Sequence, residues 1–236
     1  MIINKFKNII SKKNKKDNPI NIFNLKLDKK PEDIFIIGNA PSLNDIKPEQ
    51  LENKFTIGTN RSWLWGNTDM LIWRDNRITE EIEFFKLEKQ INSLWVCSND
   101  KSFIPNQITD YKYTKELIDF TFDDKWLKKI FQLNIKWNGI VFHAIALAKH
   151  ISKKATIHLI GIDLLLEQDK HHFFSKIPGF NQGFYKEKWN KTNFNYEKRL
   201  DMMCKNFELL KNNGYNFKNY SINSKLTELF GYEELK

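Results

Sequence analysis

From Pro31 onward, short β-like runs alternate with stretches of helical periodicity, and this alternation predicts an α/β fold with a mostly parallel sheet. Two observations add to it. The runs end in polar residues, as in "IFIIGNAPSL", where four apolar residues lead straight into Gly38-Asn39-Ala40-Pro41-Ser42. The length of 236 residues, 41% of them hydrophobic, suits one domain that can bury a sizeable core.

The expected strands are Ile34–Ile37, Phe55–Gly58, Met70–Trp73, Ser93–Ser98, Thr156–Ile160 and Asn216–Ser221. The expected helices are Thr79–Ile91, Ile140–Ile151 and Glu197–Asn213. The last carries Leu200, Met203, Phe207 and Leu210 on one stripe, which reads as core, and stops at Asn213-Gly214, a C-terminal signal. The segment Lys101–Leu133 reads as a loop followed by short helices. Gln168–Thr192 reads as a long loop rich in Phe, Trp, Lys and Gly, of the kind that forms lids or binding loops.

The formal net charge is +9, and its location matters more than its total. Residues 1–30 hold nine lysines against Asp17 and Asp28, which accounts for +7 and leaves +2 on the other 206 residues. The chain therefore divides into a basic arm, 1–30, and a single domain, 31–236, for which no specific nucleic-acid partner is expected. In the arm, Ile2, Ile3, Phe6, Ile9 and Ile10 recur at helical spacing among lysines, a pattern that can lie on an anionic membrane face. A solvated Lys/Asn-rich tail fits equally well.

No signal-peptide core and no apolar run of the ~18–20 residues needed to span a bilayer occurs, so a cytoplasmic protein is expected, with the arm peripheral to the inner face of the membrane under the first reading. Cys97 and Cys204 are far apart and indicate neither a disulfide framework nor a metal site.

In open α/β sheets, ligands sit beyond the carboxyl ends of the strands, so reading the strand ends reads the site. Here they are Gly38-Asn39-Ala40-Pro41-Ser42, Gly58-Thr59-Asn60-Arg61, Arg74-Asp75-Asn76, Ser98-Asn99-Asp100 and Gly161-Ile162-Asp163. Asn, Asp, Ser and Arg suit a polar ligand with ribose or sugar hydroxyls, although turn chemistry alone also favours Asn, Asp and Gly. The first of them is no G-x-G-x-x-G pyrophosphate cradle: it has one glycine, and Pro41 removes a backbone N–H. Asn39 offers both an amide donor and an acceptor.

A second anion candidate is Trp137-Asn138-Gly139 before the apolar helix, with Asn138 as N-cap and Lys136 close by, although Asn-Gly before a helix is usually only a cap. His171 and His172 follow Gly161-Ile162-Asp163 and can supply a general acid or base at neutral pH. His143, His150 and His158 fall on a helix or strand and read as packing or surface residues.

Taken in order, "IFIIGNAPSL", "TIGTN", "WNGIVFHAIALAKHISKKATIHLIGIDLL" and "INSKLTELFG" resemble the bacterial sialyltransferases of glycosyltransferase family 42, over most of Asp33–Tyr232. The likeness extends to a broader clan with a G-x-G-P-S-L loop, which includes 6-hydroxymethylpterin pyrophosphokinase-like domains. The family implies a single Rossmann-like domain of variant GT-A type, a CMP-sugar donor and metal-independent inverting transfer. By motif it implies that Asn39 and Asn60 contact the nucleotide, that Asn138-Gly139 holds the donor phosphate, and that Asp75 stands near the third polar strand end. Two positions depart from it. The family's paired tyrosines after Gly-Ile-Asp fall on Leu165 and His171, and its general-base histidine falls in Trp189-Asn190-Lys191-Thr192, which has none.

The expectation is a glycosyltransferase that uses a nucleotide-activated sugar, a CMP-sugar, as co-substrate and a surface or lipid-linked glycan as acceptor, with no cofactor. His171 or His172 would be catalytic and Lys136 would stabilise phosphate. Gly38, Asn39, Ser42, Asn60, Asp75, Asn138, Gly139 and Asp163 would line the nucleotide site. Two alternatives stand beside it: a pyrophosphokinase-like enzyme with Mg²⁺ on Asp75 and Asp163, and a non-catalytic nucleotide- or glycan-binding module.

Overall fold

Four consecutive apolar residues can all be buried only where both faces of their strand are covered, which is the arrangement this chain builds around Ile34–Ile37. The computed structural model describes residues 20–21, 27, 29–73, 78, 81–82, 90–91, 93–98, 117–120, 124–135, 139–165, 172–177 and 196–235. Its strands are β1 (Ile20–Asn21), β2 (Asp33–Ile37), β3 (Phe55–Thr59), β4 (Met70–Ile72), β5 (Leu94–Ser98), β6 (Leu117–Phe120), β7 (Thr156–Ile160) and β8 (Phe217–Asn219). They form one sheet in the order β1-β6-β5-β4-β3-β2-β7-β8. Every pairing among them is parallel.

All six expected strands are present. Two more lie where none was expected: β6, inside the segment read as loop and short helices, and β1, in the segment read as a basic arm, which pairs with it. The pattern that would have announced β6 is only four residues long, and Asp119 interrupts it. The same segment holds helix α1 (Asp124–Phe131).

The register Ile34↔Ile157, Phe35↔His158 sorts the side chains by face. Ile34, Ile36, Ile57, Ile157 and Leu159 point into the larger core, where α2 (Ile140–Ile151) and α3 (Tyr196–Asn212) pack; Phe35, Ile37 and Ile160 point into a second core with Leu43, Phe173 and Phe174. Helix α2 is buried all round, from Val141 to Lys149, because it lies between the sheet and α3, where the Phe142 and Phe207 ring centroids are 4.9 Å apart. Burying either of these rings contributes on the order of 2–3 kcal/mol. Met203, Phe207 and Leu210 are buried as expected and Leu200 packs against them.

Helix α3 ends as its Asn213-Gly214 signal predicts. Gly214 has φ +79°, its N–H donates to Lys211 O at 3.0 Å, and Tyr215 N–H donates to Leu210 O at 3.1 Å, the paired bonds of a Schellman motif. Of the expected helix Thr79–Ile91 little lies within the described residues; positions 78, 81 and 82 are helical. No helix of the described residues is long and apolar enough to cross a membrane.

On the second face, Asp33, His158 and Tyr220 form a hydrogen-bonded chain. A carboxylate oxygen can only accept, so the 2.7 Å contact of His158 Nε2 with Asp33 fixes that nitrogen as the donor; Nδ1 then accepts from the Tyr220 hydroxyl at 2.9 Å. The imidazole is buried and stacked on Phe35. Burial lowers the His158 pKa, with Asp33 opposing.

The unfolded chain therefore takes up a proton that the folded chain resists. This stabilising contribution is complete above the unfolded value of about 6.5 and is lost as pH falls toward the lowered folded value. Urea titrations of wild type and His158→Gln between pH 7.5 and 5.5 should show the variant less stable by about 1 kcal/mol at pH 7.5 and its pH slope flatter. An unchanged slope would contradict this account.

Candidate functional site

The strand order reverses beside β2. From there the chain adds β3, β4, β5 and β6 on one side, then returns through α2 to β7 on the other. A crevice at such a reversal, outside the carboxyl ends, is where open α/β sheets bind ligands. Here the first residues past β2 and β7 are glycines in backbone contact. Gly38 N–H donates to Ile160 O at 2.7 Å and Ala40 N–H to Gly161 O at 2.9 Å. A Cβ on Gly38 would stand 2.1 Å from Gly161 O, and Gly161 itself has φ +64°.

Asn39 stands above this contact and reaches across to β3. Its amide lies 2.7 Å from Thr59 O and 3.1 Å from Thr59 Oγ1. A carbonyl oxygen only accepts, so the atom facing it is Nδ2, and the orientation of the amide follows from the chemistry. Thr59 Oγ1 donates in turn to Ile37 O at 2.9 Å. The other end of the amide, Oδ1, is buried and has no hydrogen-bond partner among the described residues. A buried acceptor without a partner costs on the order of 1–3 kcal/mol, and a ligand hydroxyl or amine that donates to it removes that cost.

Asn60 follows at φ +48°, in the left-handed region that Asn tolerates best after glycine, and opens the 3₁₀ turn Asn60–Leu64. Such a backbone state at a strand end is a feature that binding sites share.

Ser42 and Asp163 close the loops on either side of the reversal. Ser42 N–H donates to Asp163 Oδ2 at 3.1 Å, its hydroxyl donates to Oδ1, and the Ser221 hydroxyl lies 2.8 Å from Ser42 Oγ. Asp163 is buried. Beyond Ser42 lies a cleft of about 160 Å³ that also meets Asp45, Tyr220, Ile222 and Tyr232.

His172 lies at the rim of the same region. The next residue, Phe173, donates its N–H to Asn39 O at 3.0 Å, and the His172 ring stacks on Phe174 with centroids 4.7 Å apart. Phe174 in turn lies under the Arg61 guanidinium, at 5.2 Å, while Arg61 is held by Glu81.

The N-cap position of α2 is taken by Gly139, in extended backbone, with no side-chain cap; this corrects the expectation of Asn138 as cap, because the helix starts one residue later than a cap at 138 requires. Gly139 is buried against Met203 and near Arg199. Asp75, Lys136, Asn138 and His171 lie outside the described residues. The structure thus brings Gly38, Asn39, Ser42, Asn60, Asp163 and His172 to the β2 end of the sheet. His143 and His158 are buried, which selects packing over surface of the two readings expected for them.

Sequence reasoning missed Thr59, Glu81 and Ser221. Thr59 and Arg61 stand in a strand end already singled out, but nothing in the sequence signals that Glu81, 20 residues on, or Ser221, 179 residues from Ser42, meets them.

No family model matches the chain, and no curated protein matches it. Solved structures do. The α-2,3-sialyltransferase Cst-I from Campylobacter jejuni aligns with 20% identity over 89% of this chain and 83% of its own, at TM-score 0.59. CstII from the same organism, in complex with the substrate analogue CMP-3FNeuAc, aligns with 19% identity over 86% and 87%, at 0.56. CST-II in complex with a trisaccharide acceptor and CMP aligns with 22% identity over 85% of each chain, at 0.53. Such identities speak to the fold, and the fold of this chain is that of the sialyltransferases.

Proposed function

We propose that the protein is a glycosyltransferase that takes a sugar from a CMP-sugar donor and transfers it to a hydroxyl of a glycan acceptor. The observation that carries this reading is Asn39 Oδ1, a buried acceptor without a partner among the described residues, beside the strand-order reversal. A nucleotide sugar supplies the donors it lacks, from ribose hydroxyls or a base amine. The sialyltransferase-like fold, and the CMP, CMP-sugar analogue and trisaccharide acceptor held by its structural neighbours, support the choice of substrates.

In the proposed reaction the acceptor oxygen attacks the anomeric carbon and the bond to the phosphate oxygen breaks, so that CMP leaves with the electron pair. His172 or His171 takes the acceptor proton. Phe173 N–H ties the histidine loop to Asn39, so base and donor site share one scaffold. The N–H groups opening α2 after Gly139, with Asn138 and Lys136, would meet the charge on the departing phosphate.

A thermal-shift series with CMP, UDP, GDP and ATP, with and without Mg²⁺, tests the reading. Near a hundredfold excess over Kd, CMP should stabilise by about 2.7 kcal/mol, or roughly 5–10 °C for a chain of this size. Asn39→Ala should weaken CMP binding by about tenfold or more, and a CMP-sugar should be consumed faster when an acceptor glycan is added than by hydrolysis alone. A shift with ATP and Mg²⁺ and none with CMP would sink the proposal in favour of the pyrophosphokinase alternative. Binding of CMP with no turnover of any CMP-sugar would favour a binding module.

A further inference from the structure

We propose that Asp163 is a positioning residue that fixes the Asn39 loop, and that the C-terminal segment 221–226 is the brace that fixes Asp163. The functional part of this proposal rests on the nucleotide reading above; the structural part stands without it.

Both carboxylate oxygens of Asp163 are engaged by Ser42, one by its backbone N–H and one by its hydroxyl. Ser42 has a single hydroxyl proton and gives it to the carboxylate, so the proton shared at 2.8 Å with Ser221 comes from Ser221. The relay runs Ser221 to Ser42 to Asp163. It spans the strand-order reversal, since Ser42 follows β2 and Asp163 follows β7.

The backbone of Asp163 is held from the other direction. Its carbonyl accepts from Lys225 N–H at 2.9 Å and from Ser224 Oγ at 3.1 Å, and Ser224 Oγ lies 2.8 Å from Ile162 O. Ser224 Oγ also accepts from Leu226 N–H at 3.0 Å, at the start of α4 (Leu226–Phe230). Asn219 Nδ2 donates to Ser221 O and to Gly231 O, closing the segment on itself. Ser221, Ser224 and Asn219 are all buried.

This gives the motif "INSKLTELFG" a task. Its serine and lysine hold the Gly161–Asp163 turn, and that turn holds the loop that presents Asn39. The two bonds from Ser42 can be kept without a charge at position 163. An asparagine can keep Oδ1 on Ser42 N–H and turn Nδ2 toward Ser42 Oγ, which then donates to Ser221 with the relay reversed.

Hydrogen exchange over residues 38–46 and CMP titration of wild type, Asp163→Ala, Asp163→Asn and Ser221→Ala test this. Asp163→Ala should speed exchange of that segment and weaken CMP binding, each by about tenfold or more, as loss of both buried hydrogen bonds to Ser42 implies. Asp163→Asn should remain close to wild type in both, and Ser221→Ala should fall between. If Asp163→Asn binds CMP as weakly as Asp163→Ala, the carboxylate itself meets the ligand or a metal and the proposal is overturned; unchanged exchange in Asp163→Ala also overturns it. Should Asp163→Ala fail to fold, Asp163→Asn and Ser221→Ala decide alone. Should wild type bind no CMP, the nucleotide reading fails and the exchange measurements still decide the brace.

Discussion

Replacing Gly38 by alanine is expected to destabilise the protein by about 3 kcal/mol or more, at the upper end of what overpacking costs. The added Cβ would stand 2.1 Å from Gly161 O and 2.8 Å from both Gly161 C and Ile162 Cγ1. Two of these three atoms are backbone, held by the Gly38–Ile160 and Ala40–Gly161 hydrogen bonds that join the ends of β2 and β7. The chain can relieve the clash only by parting the two strands at the point where the candidate site is built.

The same substitution elsewhere should cost less. At Gly58 the nearest atoms are side-chain hydroxyls, Ser62 Oγ at 2.3 Å and Thr68 Oγ1 at 2.8 Å; a change of Ser62 rotamer gives part of the room, so about 1–2 kcal/mol is expected. At Gly139 the neighbour is the flexible end of Met203, at 3.1 Å, in a backbone state open to any residue, and about 1 kcal/mol or less is expected. Urea unfolding of the three variants should give the order 38, then 58, then 139. A Gly38→Ala variant within 1 kcal/mol of wild type would show that the two strand ends are not locked as described.

What the sequence disclosed, and what it withheld, follows from the range of the signals. Strand β2 announces itself because burial on both faces forces a continuous apolar run, and α3 because its stripe and its Asn-Gly stop are local. Strand β6 has four residues with a charge among them, and its place is decided by pairing with β5, which no local pattern encodes. The site divides in the same way. Asn39 and Asn60 were visible as polar residues at strand ends, because position alone makes them candidates. The Ser42–Asp163–Ser221 relay was not, because it joins residues 121 and 179 positions apart. Nor could the sequence show that Asn39 spends its amide donors on Thr59 and keeps its acceptor; that distribution exists only once β2 and β3 are paired.

Removing the Arg61 guanidinium should cost about 3–5 kcal/mol, the loss expected when one member of a buried ion pair is deleted and the other stays. Arg61 Nε and Nη2 each lie 2.6 Å from a different oxygen of Glu81, in a two-point contact whose side chains are only 11% and 6% exposed. The guanidinium also covers the Phe174 ring, and Phe174 carries the stacked His172. Arg61 thus links the end of β3, the helical segment around Glu81, and the turn that follows His172. Arg61→Met should therefore do two things: lower the urea midpoint, and speed hydrogen exchange across residues 172–177. Arg61→Lys keeps the charge but not the planar fork, so it should recover part of the stability and little of the exchange protection. Arg61→Met with Glu81→Leu removes the stranded carboxylate and should regain stability over Arg61→Met alone, while the loop remains loose because Phe174 still lacks its cation. If the double variant restores slow exchange as well, the loop is held by packing alone and Arg61 has no part in placing His172.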